Sequence, residues 1–281
     1  MKKIGFIDYY LSEWHANNYP EWIRAANAEA GEDFEICYAW AELDASPLDG
    51  VTSAEWCEKN GVTLCVSIEE LCEKSDYILI LAPSNPEKHL GYAEIALRYG
   101  KNTYIDKTFA PDFAEAKKIF DIAEKYGAKF FSSSALRYAT ELDEIKGAKS
   151  IITTGGGSNM DEYIIHQAEM AVKLAASEPV RLRTEALGDS QRICTVEFAS
   201  GSVARLIYAP RYAFSVNADC DSGENLGSVV RSDTFGGLIR DILRFYNDGT
   251  PSFNTEQTLW VMKIRGGAVR SNSALGEWVK L

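Results

Sequence analysis

Unbroken apolar runs alternate with amphipathic segments through the first half of the chain. Residues 77–81 form an apolar run of the kind that a parallel sheet buries on both faces, and turn residues follow it directly. Pro86 can begin the next helix, and Gly100 can end it in a left-handed conformation. Residues 103–106 read as another strand, after which Asp112 can cap a second helix. The pattern predicts alternating strands and helices.

The same alternation continues to residues 129–132, which read as a further strand. Strands and helices that alternate in one direction form a doubly wound parallel sheet, because crossover connections are right-handed. The pattern then changes to a glycine-rich segment, one helix, and period-two alternation over residues 192–208, including a hairpin turn at Ser200–Gly201. We predict an α/β protein with two domains. They are a Rossmann-like domain over residues 1–134 and an α+β domain with a mostly antiparallel sheet over residues 135–281.

Composition narrows the class of protein without identifying it. The chain has 281 residues and 46% hydrophobic content, which suits two folded domains. A formal net charge of −12 opposes nucleic-acid binding, and the six cysteines show no C-x-x-C spacing for a metal site or a disulfide. The N-terminal sequence has neither the pattern of a signal peptide nor that of a membrane span. We therefore expect a cytoplasmic protein without a metal ion.

The most informative residue in the first domain is Lys107, where the strand over residues 103–106 gives way to the next helix. The carboxyl ends of the strands in an open parallel sheet face the ligand crevice, so the sequence offers this lysine to a cleft. Capping of the following turn, or an ion pair with Asp106, is the structural alternative. Lys107 is therefore a candidate catalytic group.

Several motifs resemble one known family of enzymes, the glucose-fructose oxidoreductase / inositol dehydrogenase (Gfo/Idh/MocA) family. The family's strand-end tripeptide is usually Glu-Lys-Pro or Asp-Lys-Pro, and here Thr108 replaces the proline. The resemblance covers nearly the whole chain and weakens toward the C-terminus. It rests on Pro83, His89, Gly100, Asp106, Lys107, residues 134–137, residues 155–157 and residues 163–169.

The resemblance implies a histidine in the second domain that works with the strand-end lysine. The family's helix carries an aspartate four residues before this histidine, a position that Glu162 holds relative to His166 here. Asp161 is the alternative, but at roughly 100° per residue it lies about 140° from His166 around the helix axis. We predict His166 as the general base, Lys107 as the stabiliser of a forming alkoxide, and Glu162 as the carboxylate beside the imidazole.

The same resemblance implies a cofactor, a class of substrate and an assembly. We expect NAD or NADP as cofactor and a sugar, a polyol or a related hydroxyl compound as substrate. Arg137 and Tyr163 are candidate substrate contacts, although Arg137 can equally bridge the domains. A homo-oligomer, either a dimer or a tetramer, is expected to form on the sheet of the second domain.

The nucleotide-binding loop departs from the pattern that such a cofactor normally requires. G-x-G-x-x-G lets the backbone approach the pyrophosphate, but Asp8, Tyr10 and Glu13 stand roughly where the three glycines would fall. The strand predicted over residues 34–39 ends at Trp40. It is not followed by the acidic residue that would normally bind the hydroxyl groups of the adenosine ribose. The cofactor contacts that we predict instead are Ser12, Ser84, Asn85 and Asp106.

Two classes of function are compatible with this sequence. The first is an oxidoreductase with a divergent nucleotide loop. The second is a family member that no longer binds nucleotide and serves as a ligand-binding or assembly protein, or as a non-redox acid-base enzyme such as a lyase or an epimerase. Lys107 and His166 could serve either kind of enzyme.

Overall fold

The computed structural model describes residues 1–281, which divide into two compact units. The first unit comprises Met1–Ser133 and Leu238–Phe253, and the second comprises Ser134–Gly237 and Asn254–Leu281. The change of unit at residues 133 and 134 lies beside the predicted boundary. Residues 238–253 differ from the prediction, since the sequence analysis assigned them to the second domain.

The first unit contains a six-stranded parallel sheet with the strand order β3-β2-β1-β4-β5-β6. The chain winds outward from β1 in one direction and then returns to β4 on the other side, as in a Rossmann-like fold. The predicted doubly wound layer is therefore confirmed. Its elements are β1 Lys2–Asp8, α1 Trp14–Ala30, β2 Phe34–Ala41, α2 Ser53–Asn60, β3 Thr63–Leu64, α3 Ile68–Lys74, β4 Tyr77–Ile80, α4 His89–Ala96, β5 Thr103–Ile105, α5 Phe113–Tyr126 and β6 Phe130–Phe131.

The helix ends of this unit follow the signals in the sequence. The side chain of Asp112 accepts a hydrogen bond from the backbone N–H of Glu115, which caps the start of α5 as predicted. Gly100 has a φ of 65°, the left-handed stop that ends the helical segment after α4. Pro86 begins a short 3₁₀ turn that leads into α4.

Aromatic packing explains why residues 238–253 belong to the first unit. The Tyr246 ring stacks on the Tyr77 ring with 4.7 Å between centroids, and the Tyr246 hydroxyl donates to the carbonyl of Ile78 at 2.7 Å. Phe245 is fully buried and packs against Phe131. These contacts join residues far apart in the chain, so the periodicity of a short segment does not reveal them.

The second unit contains a seven-stranded sheet with the order β12-β11-β7-β10-β9-β8-β13. Only the β7–β10 pair is parallel, and the predicted hairpin is the antiparallel pair β9–β10. The predicted α+β domain with a mostly antiparallel sheet is thus confirmed. Its elements are β7 Ala148–Gly155, α6 Met160–Ala175, β8 Pro179–Ala186, β9 Arg192–Phe198, β10 Val203–Tyr208, β11 Ser215–Cys220, β12 Asn225–Val229, α8 Glu256–Asn272 and β13 Val279–Lys280, while α7 Thr234–Asp248 runs mostly within the first unit.

The glycine triplet between β7 and α6 permits close packing. A Cβ atom on Gly156 would lie 2.2 Å from the carbonyl oxygen of Ala209, and one on Gly157 would lie 2.1 Å from the Tyr163 ring. Neither position can therefore take a larger residue without displacing its neighbours.

None of the helices is both long and apolar enough to cross a membrane.

Candidate functional site

A first candidate cluster lies at the carboxyl edge of the parallel sheet. Strands β1, β4 and β5 are neighbours there, and their carboxyl ends lead into Asp8, Ala82 and Asp106. The strand order reverses between β1 and β4, which is where ligands bind in open α/β sheets. The polar side chains at this edge therefore decide what the sheet can bind.

Lys107 follows β5 at this edge, where the sequence predicts it. Its backbone N–H donates to the Asp106 carboxylate at 2.8 Å, and its half-buried side chain carries Nζ to 3.5 Å from the carbonyl oxygen of Pro83. His89 is fully buried, and its two ring nitrogens face the carbonyl oxygens of Leu81 and Phe109. His89 thus fixes the segment after Lys107 to the end of β4.

Asp106 is a buried carboxylate with several partners. It pairs with His15 Nδ1 through one oxygen, and the other oxygen accepts from the Tyr104 hydroxyl at 3.2 Å. Burial alone would raise the pKa of Asp106, but the charge and hydrogen bond of His15, with Lys107 beside them, lower it. Asp106 therefore stays ionised and positions the backbone of Lys107.

Asp8, the last residue of β1, differs from Asp106 in its hydrogen bonds and in its pKa. Its Oδ1 accepts from the backbone N–H groups of Tyr9 at 2.7 Å and Ala82 at 3.0 Å, whereas its buried Oδ2 has no hydrogen-bond partner. Ala82 holds a left-handed φ of 57°, which a non-glycine residue adopts only at a cost. Burial and the charge of Glu13 raise the pKa of Asp8 well above its usual range. This is a carboxyl group that favours its neutral form.

Glu13 closes the amino end of α1 with its own side chain. Its carboxylate accepts from the backbone N–H of His15 at 2.8 Å and from that of Ala16, and the residue is 7% exposed. A dinucleotide pyrophosphate would need these amides in the usual mode of binding. As it stands, this helix end does not fit a pyrophosphate, because an internal carboxylate already holds the donors.

The remaining predicted cofactor contacts lie around the same edge. Ser12 is buried and donates to Asp49 at 2.7 Å, and Asn85 donates to Glu87 at 3.0 Å. Ser84 is exposed in the loop after β4. Ser12, Ser84, Asn85 and Asp106 all stay predictions as cofactor contacts.

A cavity of about 350 Å³ opens beside β2 and α3 in this unit. Trp40 and Tyr92 line it, and the Tyr92 hydroxyl donates at 2.8 Å to Glu42, which also pairs with Lys88. Its volume and largely apolar lining suit a flat ring such as a nucleobase. The edge thus offers room for a base but no open place for its phosphates at α1.

A second candidate cluster lies on α6 in the second unit. Ser134 Oγ and His166 Nδ1 are 2.6 Å apart, and the His166 ring lies 5.7 Å from the Tyr163 ring. Glu169 is 3% exposed, accepts from the Ser134 backbone N–H at 3.1 Å, and pairs with Arg137. The serine and the buried ion pair together set the orientation of the imidazole.

The predicted carboxylate partner of His166 lies in the first turn of α6. The helix begins at Met160, so the spacing of Glu162 and His166 falls within regular helix. The side chain of Asn159 accepts from the Glu162 backbone N–H at 2.9 Å and donates to its carboxylate at 3.2 Å. Glu162 as the partner, with Asp161 as the alternative, stays a prediction.

Sequence reasoning missed three features of these two clusters. The pair of His15 with Asp106 joins residues 91 positions apart, and no local pattern announces it. Ser134 belongs to residues 134–137, one of the motifs that carry the family resemblance. Its contact with His166, however, depends on the position of α6 in the fold. Glu13 could have been found, since an acidic residue is a common N-cap signal at the start of a helix.

We expect Asp8→Asn to stabilise the protein at alkaline pH. The folded state binds the Asp8 proton more tightly than the unfolded state, so wild-type stability falls as the pH rises above about 4. Asparagine keeps the Oδ1 acceptor and cannot ionise, so it should raise the free energy of unfolding at pH 8 by about 1–3 kcal/mol. Urea unfolding at pH 5 and pH 8 measures the difference.

The matched control is Asp121→Asn on the exposed face of α5, which should change stability little at either pH. An equal effect of Asp8→Asn at the two pH values would contradict the assignment of a raised pKa to this carboxyl.

Comparison with known proteins agrees with this architecture. Residues 44–134 match the model of an oxidoreductase family with an NAD-binding Rossmann fold, Gfo/Idh/MocA. The uncharacterized oxidoreductase YhhX of Escherichia coli K12 is 33% identical over 60 residues. That match spans 21% of this chain and 17% of the relative.

Solved structures share the fold over the whole chain. A probable dehydrogenase from Thermotoga maritima superposes with a TM-score of 0.79 at 12% identity, covering 99% of this chain and 98% of its own. The myo-inositol dehydrogenase from Lactobacillus casei in complex with NAD(H) and myo-inositol has a TM-score of 0.77 at 12% identity, covering 100% and 96%. Residues 44–134 thus match the Gfo/Idh/MocA family of oxidoreductases, and the solved structures show that the whole chain has the fold of these dehydrogenases.

Proposed function

We propose that this protein is an NAD- or NADP-dependent oxidoreductase that acts on a hydroxyl group of a sugar, a polyol or a related small molecule. The observation that carries the proposal is Lys107 at the carboxyl end of β5, within the segment that matches the oxidoreductase family. Open α/β sheets bind their ligands at this edge. The myo-inositol dehydrogenase from Lactobacillus casei, solved with NAD(H) and myo-inositol, supports the classes of cofactor and substrate.

His166 is the proposed general base. Oxidation of an alcohol removes the hydroxyl proton, and an imidazole can accept a proton near neutral pH. Ser134 engages Nδ1, so we assign the proton transfer to Nε2. Tyr163 lies beside the same ring and is the proposed substrate contact.

Lys107 is the proposed stabiliser of the alkoxide. An ammonium group near the developing negative charge lowers the barrier more than it strengthens binding of the neutral alcohol. Asp106 and His15 support this role indirectly, since the Asp106 carboxylate holds the Lys107 backbone N–H. Arg137 is 5% exposed and paired with Glu169, which favours support of α6 over direct substrate contact.

A second function is favoured by the state of helix α1. Glu13 occupies the amides that a pyrophosphate would use, as expected of a family member that has lost its nucleotide. Such a protein could bind a ligand, serve in an assembly, or act as a lyase or an epimerase through Lys107 and His166. Nucleotide binding separates the two functions.

Titration of the purified protein with NADH and with NADPH tests the proposal. Tryptophan fluorescence should be quenched, with energy transfer to the nicotinamide and a Kd below about 1 mM for one of the two nucleotides. Trp40 lines the cavity beside β2 and would report its occupation. Absence of binding of both nucleotides at several times this concentration would favour the second function.

Lys107→Met and His166→Ala should each lower kcat on an identified substrate by at least about 100-fold. Both changes leave the core intact, so the circular dichroism spectrum and the melting temperature should stay close to wild type. Lys118→Met, on the exposed face of α5, is the matched control and should retain full activity. Full activity in both site variants would show that the site is misassigned.

We further propose that the protein is a homo-oligomer, a dimer or a tetramer, built on the outer face of the second unit's sheet. Ile152, Ile193 and Ile207 lie half-exposed on adjacent strands of that face, which a second copy could cover. Ile207→Asp should reduce the mass measured by light scattering to that of a monomer. Leu187→Asp, in the loop after β8, is the control and should leave the mass unchanged. A monomeric wild type would refute the proposal.

A further inference from the structure

The side chain of Glu13 takes the place that an anion would otherwise hold at helix α1. Helix termini leave their first N–H groups without intrahelical partners, and the aligned peptide dipoles favour negative charge there. Here the Glu13 carboxylate bonds both the His15 and the Ala16 amides. The same donors and the same sign of charge would bind a phosphate.

The position of α1 directly after β1 makes this contact relevant to nucleotide binding. Helix α1 follows β1, the strand beside which the order reverses, and β4 lies on the other side of that reversal. A pyrophosphate bound in this crevice sits at the amino end of the first helix. Glu13 therefore occupies the phosphate position of this fold specifically.

The ionisable groups around Glu13 also disfavour the binding of a pyrophosphate. Burial raises the pKa of Glu13 and the charge of the buried Asp106 carboxylate raises it further, whereas His15 lowers it. His15 is itself paired with Asp106 through Nδ1. A doubly negative pyrophosphate would have to enter this cluster and displace a bound carboxylate.

We propose that Glu13 is an internal occupant of the phosphate position and that it limits the affinity of this chain for NAD(H) and NADP(H). The inference deepens the proposed function and rests on it, because it concerns the same nucleotide. Removal of the side chain frees two backbone amides and takes away one carboxylate at the same time. Glycine suits the position, since Glu13 has extended backbone angles and glycine is tolerated at a helix N-cap.

The experiment compares Glu13→Gly and Glu13→Gln with the wild type in titrations with NADH, ADP-ribose and adenosine. We expect Glu13→Gly to lower the Kd for NADH and ADP-ribose at least tenfold. Glu13→Gln removes the charge but keeps an acceptor, so it should lower both about threefold. Adenosine has no phosphate, and its affinity should stay the same in every variant.

Asp112→Gly is the matched control, because it removes an acidic N-cap from α5 in the same unit. It should cost similar helix stability without any gain in affinity. Should Glu13→Gly fail to fold, Glu13→Gln decides the question alone. The inference is overturned if neither Glu13 variant binds ADP-ribose more tightly than the wild type, or if adenosine binding improves to the same degree.

The outcome also separates this inference from the proposed function. A wild type that fails to bind NADH beside a Glu13→Gly variant that binds it supports the inference and refutes nucleotide dependence of the natural protein. A wild type that binds NADH with the same affinity as both Glu13 variants supports the proposed function and overturns the inference.

Discussion

The hydrogen bonds between the Glu13 carboxylate and the first amides of α1 are the constraint on which the interpretation of this protein depends. They place a negative charge where the fold would receive a phosphate, and they do so in a buried setting where charges interact strongly. Burial, together with the charge of Glu13, raises the pKa of Asp8, while Asp106 stays ionised beside His15. The Glu13 cap is thus one of several buried ionisable groups at this edge of the sheet.

The two proposed catalytic residues, Lys107 and His166, are positioned by neighbouring side chains. Lys107 is positioned through its backbone by Asp106, and His166 is positioned by Ser134 together with the buried pair of Glu169 and Arg137. Each of these two proposed catalytic residues is fixed by a neighbour that is itself buried and hydrogen-bonded, which would limit the entropy lost when substrate binds. The proposed catalytic residues therefore lie apart from the altered phosphate position, as expected when nucleotide binding and substrate chemistry use separate residues.

The local signals in the sequence were sufficient for much of the fold. Period-two and period-3.6 patterns, Asp112 as a cap and Gly100 as a stop are all properties of neighbouring residues, and the structure confirms them. The same kind of local reasoning assigned residues 238–253 to the second domain, although they belong to the first unit. Burial of Phe245 and the stacking of Tyr246 on Tyr77 decide that assignment, and no short segment encodes it.

By itself, the sequence determined the α/β class, the strand-end position of Lys107, the helical spacing of Glu162 and His166, and the absence of the glycine motif. Only the tertiary structure decided that Glu13 fills the phosphate position, that His15 pairs with Asp106, and that Ser134 meets His166. The physical reason is that periodicity and capping depend on residues within a turn or two of each other. A buried charge or hydrogen bond depends on which distant segments the packing of the core brings together.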